Sequence, residues 1–333
     1  MSAKSVTTRL VASALHRTRM LGPVSAMAGW LREGGFPILT FHRVNDDDDP
    51  FMPALSTAVF AARMEHIAKH YVVFTVEDLV ERLQQGRLPR KALALTFDDG
   101  YQDNLTHAAP ILARYGLPAT IFLTTGYIGT QRVLWFDRLA LALKATTCPE
   151  VGLAEGLVVS LRSKADRVRA LQAALAHLKQ IPDGERRRGL DQLLSQLGAG
   201  PGDAPKRLML TWEEVDALRG LGFSIGAHTV SHPILSRLSA DEAWEEINGS
   251  KLAIEKAIGT PPRAFAYPNG GSEHYNEAIT RLVRQAGFTC AVTTRRGRNT
   301  STTPRLELRR GGPWEHHLPT YALKLAHYQL TGV

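Results

Sequence analysis

Residues 92–100 read Ala92-Leu93-Ala94-Leu95-Thr96-Phe97-Asp98-Asp99-Gly100, an uncharged run that ends in two adjacent carboxylates. A short apolar run closed by a turn signal reads as a strand buried on both faces. Such strands belong to parallel sheets covered by helices, and the carboxyl ends of those strands carry the chemistry. Asp98 and Asp99 therefore stand where a site is expected. Neighbours at a strand end point in different directions, so one carboxylate can ligate a metal while the other stays free as a base. The alternative is a polar turn, which Asp-Gly favours.

Working outward, the chain alternates strand and helix. Phe36–Val44 reads as a buried strand, and Ser56 caps a helix with Phe60, Met64 and Ile67 on one face. Tyr71–Phe74 is a strand, and Thr75 with Asp78 opens a helix that stops near Gly86. Further strands are expected at Pro118–Thr125, Phe223–His228, Ala264–Tyr267 and Thr289–Thr294. Thr211 with Glu214, and Ser239 with Glu242, are capping boxes. The pattern predicts an α/β fold with parallel strands inside and helices outside, closed as a barrel.

Residues 131–206 break the rhythm, with one strand expected at Leu157–Leu161. Val168, Leu171, Leu175 and Leu178 form one helical stripe, and Leu190, Leu193, Leu194 and Leu197 another. The turn at 181–184 separates them, and a Gly-Ala-Gly-Pro-Gly linker follows at 198–202. The segment reads as a helical hairpin inserted into the barrel, either a solvated decoration or a lid or docking arm. The expected organisation is a basic N-terminal helical segment (1–35), barrel (36–130), mainly helical insertion (131–206), barrel (207–312) and C-terminal tail (313–333).

The 333 residues are 44% apolar and 22% charged, which excludes collagenous, low-complexity and wholly disordered classes. Cys148 and Cys290 are too few for a disulfide framework and form no CxxC pair. A net charge of +8 fits an anionic partner, such as a phosphate-bearing substrate or a lipid surface. The charge-free stretch Leu21–Leu31 is far shorter than the ~20 residues of a membrane span. Lys4, Arg9 and Ala26-Met27-Ala28 resemble parts of a signal peptide, but Arg17 and Arg19 interrupt its apolar region. The expectation is a basic helix that packs on the domain or rests peripherally on anionic lipid. It places the protein in a bacterial-type cytoplasm or on the cytoplasmic membrane face rather than outside the cell.

A second chemical signal is His228-Thr229-Val230-Ser231-His232-Pro233. Histidines at i and i+4 share one face if the segment is helical, so both rings can reach one ion. An Asp and two His give three ligands with room for water and substrate, the arrangement of a catalytic rather than a closed structural metal site. Metal-bound water has its pKa pulled toward neutrality, and a spare carboxylate can take its proton. A third segment, Phe265-Ala266-Tyr267-Pro268-Asn269-Gly270-Gly271, is a strand running into a loop whose N–H groups could face an oxyanion.

In this order and spacing the three segments resemble the polysaccharide deacetylases, the NodB-homology carbohydrate esterases of family 4, over roughly Phe36–Arg310. The resemblance implies a distorted (β/α)7 barrel with the helical hairpin as an extra. It implies Asp98 as general base and Asp99, His228 and His232 as metal ligands, with zinc the first expectation and nickel, cobalt or iron as alternatives. The N–H at Asn269 takes the oxyanion position, with Tyr267 beside the substrate. The family removes N-acetyl, or sometimes O-acetyl or N-formyl, groups from sugars. The arginine of its third motif, which pairs with the base, is replaced here by Ala266, and its tyrosine by Asn269. Arg263, Arg305 and Arg309 are the candidates for the missing charge. The Leu39–Val44 opening resembles the poly-N-acetylglucosamine deacetylase branch, whose N-terminal histidine supplies the acid; His42 takes that role, with His316, His317 and His327 as rivals.

Other motifs are set aside. Gly222-Phe223-Ser224-Ile225-Gly226 matches a nucleophile elbow, but its strand follows the serine instead of preceding it. Asp46–Asp49 lacks the spacing of a calcium loop. The arginines from Arg295 to Arg310 come with no nucleic-acid-binding motif, and none is expected as a partner. The expected function is metal-dependent deacetylation of N-acetylated sugar in a polysaccharide or glycolipid. The alternatives are a lipid-linked sugar deacylase or deformylase and a non-catalytic carbohydrate-binding relative.

Overall fold

A computed structural model describes residues 35–154, 157–199 and 206–332. The expected N-terminal helix, and with it the lipid-surface expectation, lies outside the described residues, as does most of the linker at 198–202. The chain runs β1 (Ile38–Phe41), α1 (Thr57–His70), β2 (Val72–Phe74), α2 (Val76–Gln84), β3 (Ala92–Phe97), α3 (Ala109–Arg114) and β4 (Thr120–Leu123). The insertion holds α4 (Trp135–Ala145), β5 (Glu150–Ala154), β6 (Leu157–Ser160), α5 (Lys164–Leu178) and α6 (Asp183–Gln196). The second half runs α7 (Trp212–Gly220), β7 (Ser224–Ala227), α8 (Ala240–Ile258), β8 (Ala264–Ala266), α9 (Glu277–Gln285), β9 (Cys290–Val292) and α10 (Leu318–Thr331).

Seven strands form one curled parallel sheet, a half-barrel in the order β1-β3-β4-β7-β8-β9, with β2 also paired to β3. Every residue of β3 is buried, as its uncharged sequence requires, and it pairs with β1, β2 and β4. Phe41, Phe60 and Phe97 pack ring to ring at 5.4–5.9 Å between β1, α1 and β3. The Ser56, Thr75, Thr211 and Ser239 side chains each cap the helix expected of them.

β1 and β9 do not pair. An irregular segment crosses between them: Leu308 lies beside Val292, and the Gly311 N–H donates to Ile38 O at 3.0 Å. Along it Leu306, Leu308 and Arg310 are buried at alternate positions, a strand-like pattern that turns Arg310 into the barrel.

The insertion is packed, not solvated. Trp135, Leu139, Leu171, Leu178, Leu190 and Leu194 form a second core that includes Tyr101 and Tyr127 of the barrel. Its expected strand has an antiparallel partner in β5, which Gly152 and a bulge had masked in the sequence. The C-terminal segment is a helix docked on α1, with the buried Arg63 guanidinium 4.6 Å over the Tyr321 ring. Among the described residues no helix is long and apolar enough to cross a membrane.

Candidate active site

The carboxyl ends of β1, β3, β7, β8 and β9 surround a cavity of about 530 Å³. His42, Asp98, Asp99, His228, His232, Asn269 and Thr294 line it, each a few residues past the end of a strand or within the loop that follows. Five strands of the parallel sheet thus deliver polar residues to one place, because parallel strands share one direction and so one end.

Asp98 is buried and held by Arg310 in a two-point ion pair, with both N–O distances 2.6 Å. Burial pushes this carboxyl up, but the Arg310 charge and hydrogen bonds, with His228 and His42 nearby, outweigh it. Asp98 therefore stays ionised well below the usual carboxylate range. The remaining Arg310 donors reach Thr293 O at 3.0 Å and Thr96 Oγ at 3.2 Å. This corrects the expected charge partner. Arg263 faces Glu81 at 3.7 Å on the outside, Arg309 lies against Gly297, and Arg305 approaches the Gln84 amide. The segment that fills the β1–β9 gap brings a guanidinium to Asp98, and alternation puts Arg310 there rather than Arg309.

Asp99, His228 and His232 converge, with their ligand atoms all within 4.8 Å of one another. Asp99 Oδ1 lies 3.6 Å from His228 Nε2 and 3.4 Å from His232 Nε2. The His228 Nδ1 pairs with Ala266 O at 2.7 Å, which makes Nδ1–H the donor and leaves the Nε2 lone pair facing the carboxylate. Burial lowers the His228 pKa to about 4 and holds His232 well below its ordinary value, so both rings are neutral. Asp99 Oδ1 is buried without any hydrogen-bond partner. Burial and the neighbouring Asp98 charge push the Asp99 carboxyl well above its ordinary range, so ionised Asp99 crowded between two neutral imidazoles is an arrangement that a cation resolves. The donor set suits zinc or a similar divalent ion.

The sequence reading made the shared histidine face conditional on a helix. The segment is instead a loop, in which Thr229 and His232 have φ of 67° and 60°. Glu246 holds the loop by accepting the Val230 and Ser231 N–H groups at 2.8 Å, and the His232 N–H donates to Thr229 Oγ at 3.0 Å. Asp99 and Asn269 also have positive φ, at 74° and 59°. Three of the six non-glycine residues with positive φ among those described, Asp99, His232 and Asn269, thus line this cavity. Such conformations cost of order 1–3 kcal/mol each and persist where surrounding contacts over-determine them.

The Asn269 backbone N–H makes no hydrogen bond among the described residues, and its side-chain Nδ2 is buried without a partner. Tyr267, expected beside the substrate, is not in the cavity. Its ring stacks on Tyr275 at 4.5 Å, and its hydroxyl donates to Leu306 O at 2.9 Å, the acceptor that a fully buried phenol needs. His42 sits at the mouth with its side chain 51% exposed and Nε2 3.9 Å from Asp98 Oδ2. His316, His317 and His327 do not line the cavity, and His317 Nδ1 is engaged with Thr320 Oγ at 2.8 Å.

Sequence reading missed several lining residues. Phe136 and Ala140 come from α4, and Leu171, Leu175 and Lys179 from α5 and its end, so the insertion forms one wall. Asp137, buried beneath, accepts the Tyr101 hydroxyl at 2.9 Å, and burial pushes its pKa up to about 7.

Residues 85–291 match the family model described as polysaccharide deacetylase. The chain belongs to the polysaccharide deacetylase family. It is 22% identical to the Bacillus subtilis protein YxkH over 263 residues, 78% of this chain and 65% of that one. It is 28% identical over 106 residues to the poly-β-1,6-N-acetyl-D-glucosamine N-deacetylase of Staphylococcus epidermidis, 28% of this chain and 37% of the relative. The chain thus spans less than two thirds of the length of these curated relatives. The solved structure of IcaB from Ammonifex degensii superposes with a TM-score of 0.56 at 18% identity, covering 89% of this chain and 98% of that one. The likeness places the chain in a (β/α)-barrel fold.

Proposed function

We propose that this protein removes acetyl groups from N-acetylated sugars in a polysaccharide or glycolipid, by metal-dependent hydrolysis. The observation that carries the reading is the pairing of two unlike carboxylates at the end of β3. Asp98 is kept ionised by Arg310, while Asp99 faces two neutral imidazoles. Family membership and the likeness to named deacetylases of poly-N-acetylglucosamine support it.

Asp99, His228 and His232 would hold the metal, zinc first among the candidates. When bound there, a divalent ion supplies Lewis-acid polarisation of the acyl carbonyl and acidifies water. Asp98 takes the proton of the attacking water at its carboxylate, which Arg310 orients at both oxygens. The free N–H of Asn269 donates to the carbonyl oxygen as it gains charge. His42, at the cavity mouth near Asp98, delivers a proton to the departing nitrogen. Water adds across the amide, leaving acetate and a free amino sugar.

The reading is tested by acetate release from β-1,4- and β-1,6-linked N-acetylglucosamine oligomers, with and without added zinc. Metal-dependent acetate from any of them supports the reading. Tight glycan binding without acetate, across zinc, nickel, cobalt and iron, would instead make the chain a carbohydrate-binding relative. The apolar wall of Leu171, Leu175 and Phe136 favours a glycolipid as the second substrate class.

A further inference from the structure

The cations around the cavity differ in how they are engaged. Arg310 is fully committed to Asp98. Arg43 pairs with Asp103 at 3.1 Å and lies over the Tyr101 ring. Lys179 lines the same cavity, yet among the described residues its ammonium makes no hydrogen bond and no ion pair. Lys144, also in the insertion, is by contrast paired with Asp49 at 2.7 Å. Lys179 is the C-cap of α5, where a lysine ordinarily extends into water to meet the helix dipole. Here it stands in register with Leu171 and Leu175, at i, i+4 and i+8, so one helix stripe faces the cavity and ends in a cation.

The charge is partly withdrawn from water. Burial lowers the Lys179 pKa, against the attraction of Asp99. Among the described residues, no carboxylate lining the cavity is free to answer it. Asp98 belongs to Arg310, Asp99 to the metal site, and Asp137 to the Tyr101 hydroxyl. A half-buried ammonium that only water answers has already lost part of its hydration, which lowers the cost of meeting an anionic ligand.

We propose that Lys179 binds an anionic substituent, a carboxylate or a phosphate, on the acylated sugar or on the unit next to it. The inference rests on the deacetylase reading for the identity of the sugar, and adds that the substrate is acidic. The insertion then selects the substrate: its apolar stripe walls the cavity and its terminal cation reads charge.

Calorimetric titration of the full chain tests this with three probes: N-acetylglucosamine, N-acetylglucosamine 1-phosphate, and a glucuronate–N-acetylglucosamine disaccharide. One anionic probe should bind at least tenfold more tightly than the neutral sugar. Lys179→Met should reduce that ratio to about threefold or less, and Lys179→Arg should keep most of it. The phosphate and uronate arms show which anion is read. Equal affinity for all three probes, or a preference that survives Lys179→Met, overturns the proposal. Should Lys179→Met fail to fold, the wild-type ratio decides, and it should collapse in 0.5 M salt. Acetate release from the same probes separates the two readings. Anion preference without acetate would sink deacetylation and leave the Lys179 site standing. Acetate release with equal affinity for neutral and acidic probes would do the reverse.

Discussion

Replacing Arg310 with Met removes the guanidinium that keeps Asp98 ionised, while leaving the proposed metal ligands intact. Four hydrogen bonds are lost: two to Asp98 at 2.6 Å, one to Thr293 O and one to Thr96 Oγ. Both partners of the pair are buried, with side-chain exposures of 0% and 3%. Breaking such a pair from one side typically costs about 3–5 kcal/mol, because a charge is left buried without compensation. The sign of the pH effect follows. In the wild type the Asp98 pKa is depressed, so its contribution to stability is present above the unfolded value of ~3.9 and lost as pH falls below it. Without Arg310, burial is the largest influence remaining and pushes the carboxyl upward. Asp98 then holds a proton further into the working pH range and fails as a base. Turnover should fall by about 10²–10⁴-fold near neutral pH, with the acid limb of the pH–rate profile moved upward by more than one unit. Metal content should be retained. Urea unfolding of Arg310→Met, Asp98→Asn and the double variant measures the pair. The double variant should be more stable than the sum of the single losses implies, because Asp98→Asn removes the stranded charge. Additive losses, or an Arg310→Met enzyme with wild-type turnover and an unmoved acid limb, would refute the argument.

Two further variants probe neighbouring groups. His42→Ala should keep fold and metal and lose turnover by ~10²–10⁴-fold, with the alkaline limb altered; near-normal turnover there, with a large loss in His316→Ala, His317→Ala or His327→Ala, would move the acid to the C-terminal helix. Asp137, with its pKa pushed up to about 7, keeps a proton in the fold that the unfolded chain releases at ~3.9, so its contribution to stability is lost as pH rises between those values. Asp137→Asn should therefore be more stable than the wild type at pH 8, by up to ~4 kcal/mol, with the difference closing near pH 4 in thermal unfolding; a pH-independent difference would refute the assignment.

The strands and their shared end were readable because buried parallel strands write themselves as uncharged runs, and Ala92–Phe97 is such a run. Capping residues were readable because their chemistry is local, as at Ser239 and Glu242. The convergence of Asp99, His228 and His232 followed from motif order, but their geometry did not. The His228–His232 segment is a loop with left-handed residues, where periodicity carries no information. Arg310 was missed because its partner lies 212 residues away and the segment carrying it is not a regular strand. Its signal was present in the alternation of Leu306, Leu308 and Arg310, which are buried at every second position. Tyr267 was misplaced because it follows directly on β8, where the last residues before the loop can face either the core or the cavity. Lys179 and Asp137 reach the cavity from the insertion, and no local pattern says which stripe of an inserted helix meets a barrel mouth.

The central claim is that the two adjacent aspartates divide the work. Elemental analysis beside acetate release, on Asp98→Asn and Asp99→Asn prepared identically, tests it directly. Asp98→Asn should retain about one divalent metal per chain, as expected of the wild type, and lose turnover by ~10²–10⁴-fold. Asp99→Asn should lose both metal and turnover. Equal metal loss in the two variants, or full turnover in metal-free Asp99→Asn, would contradict the account.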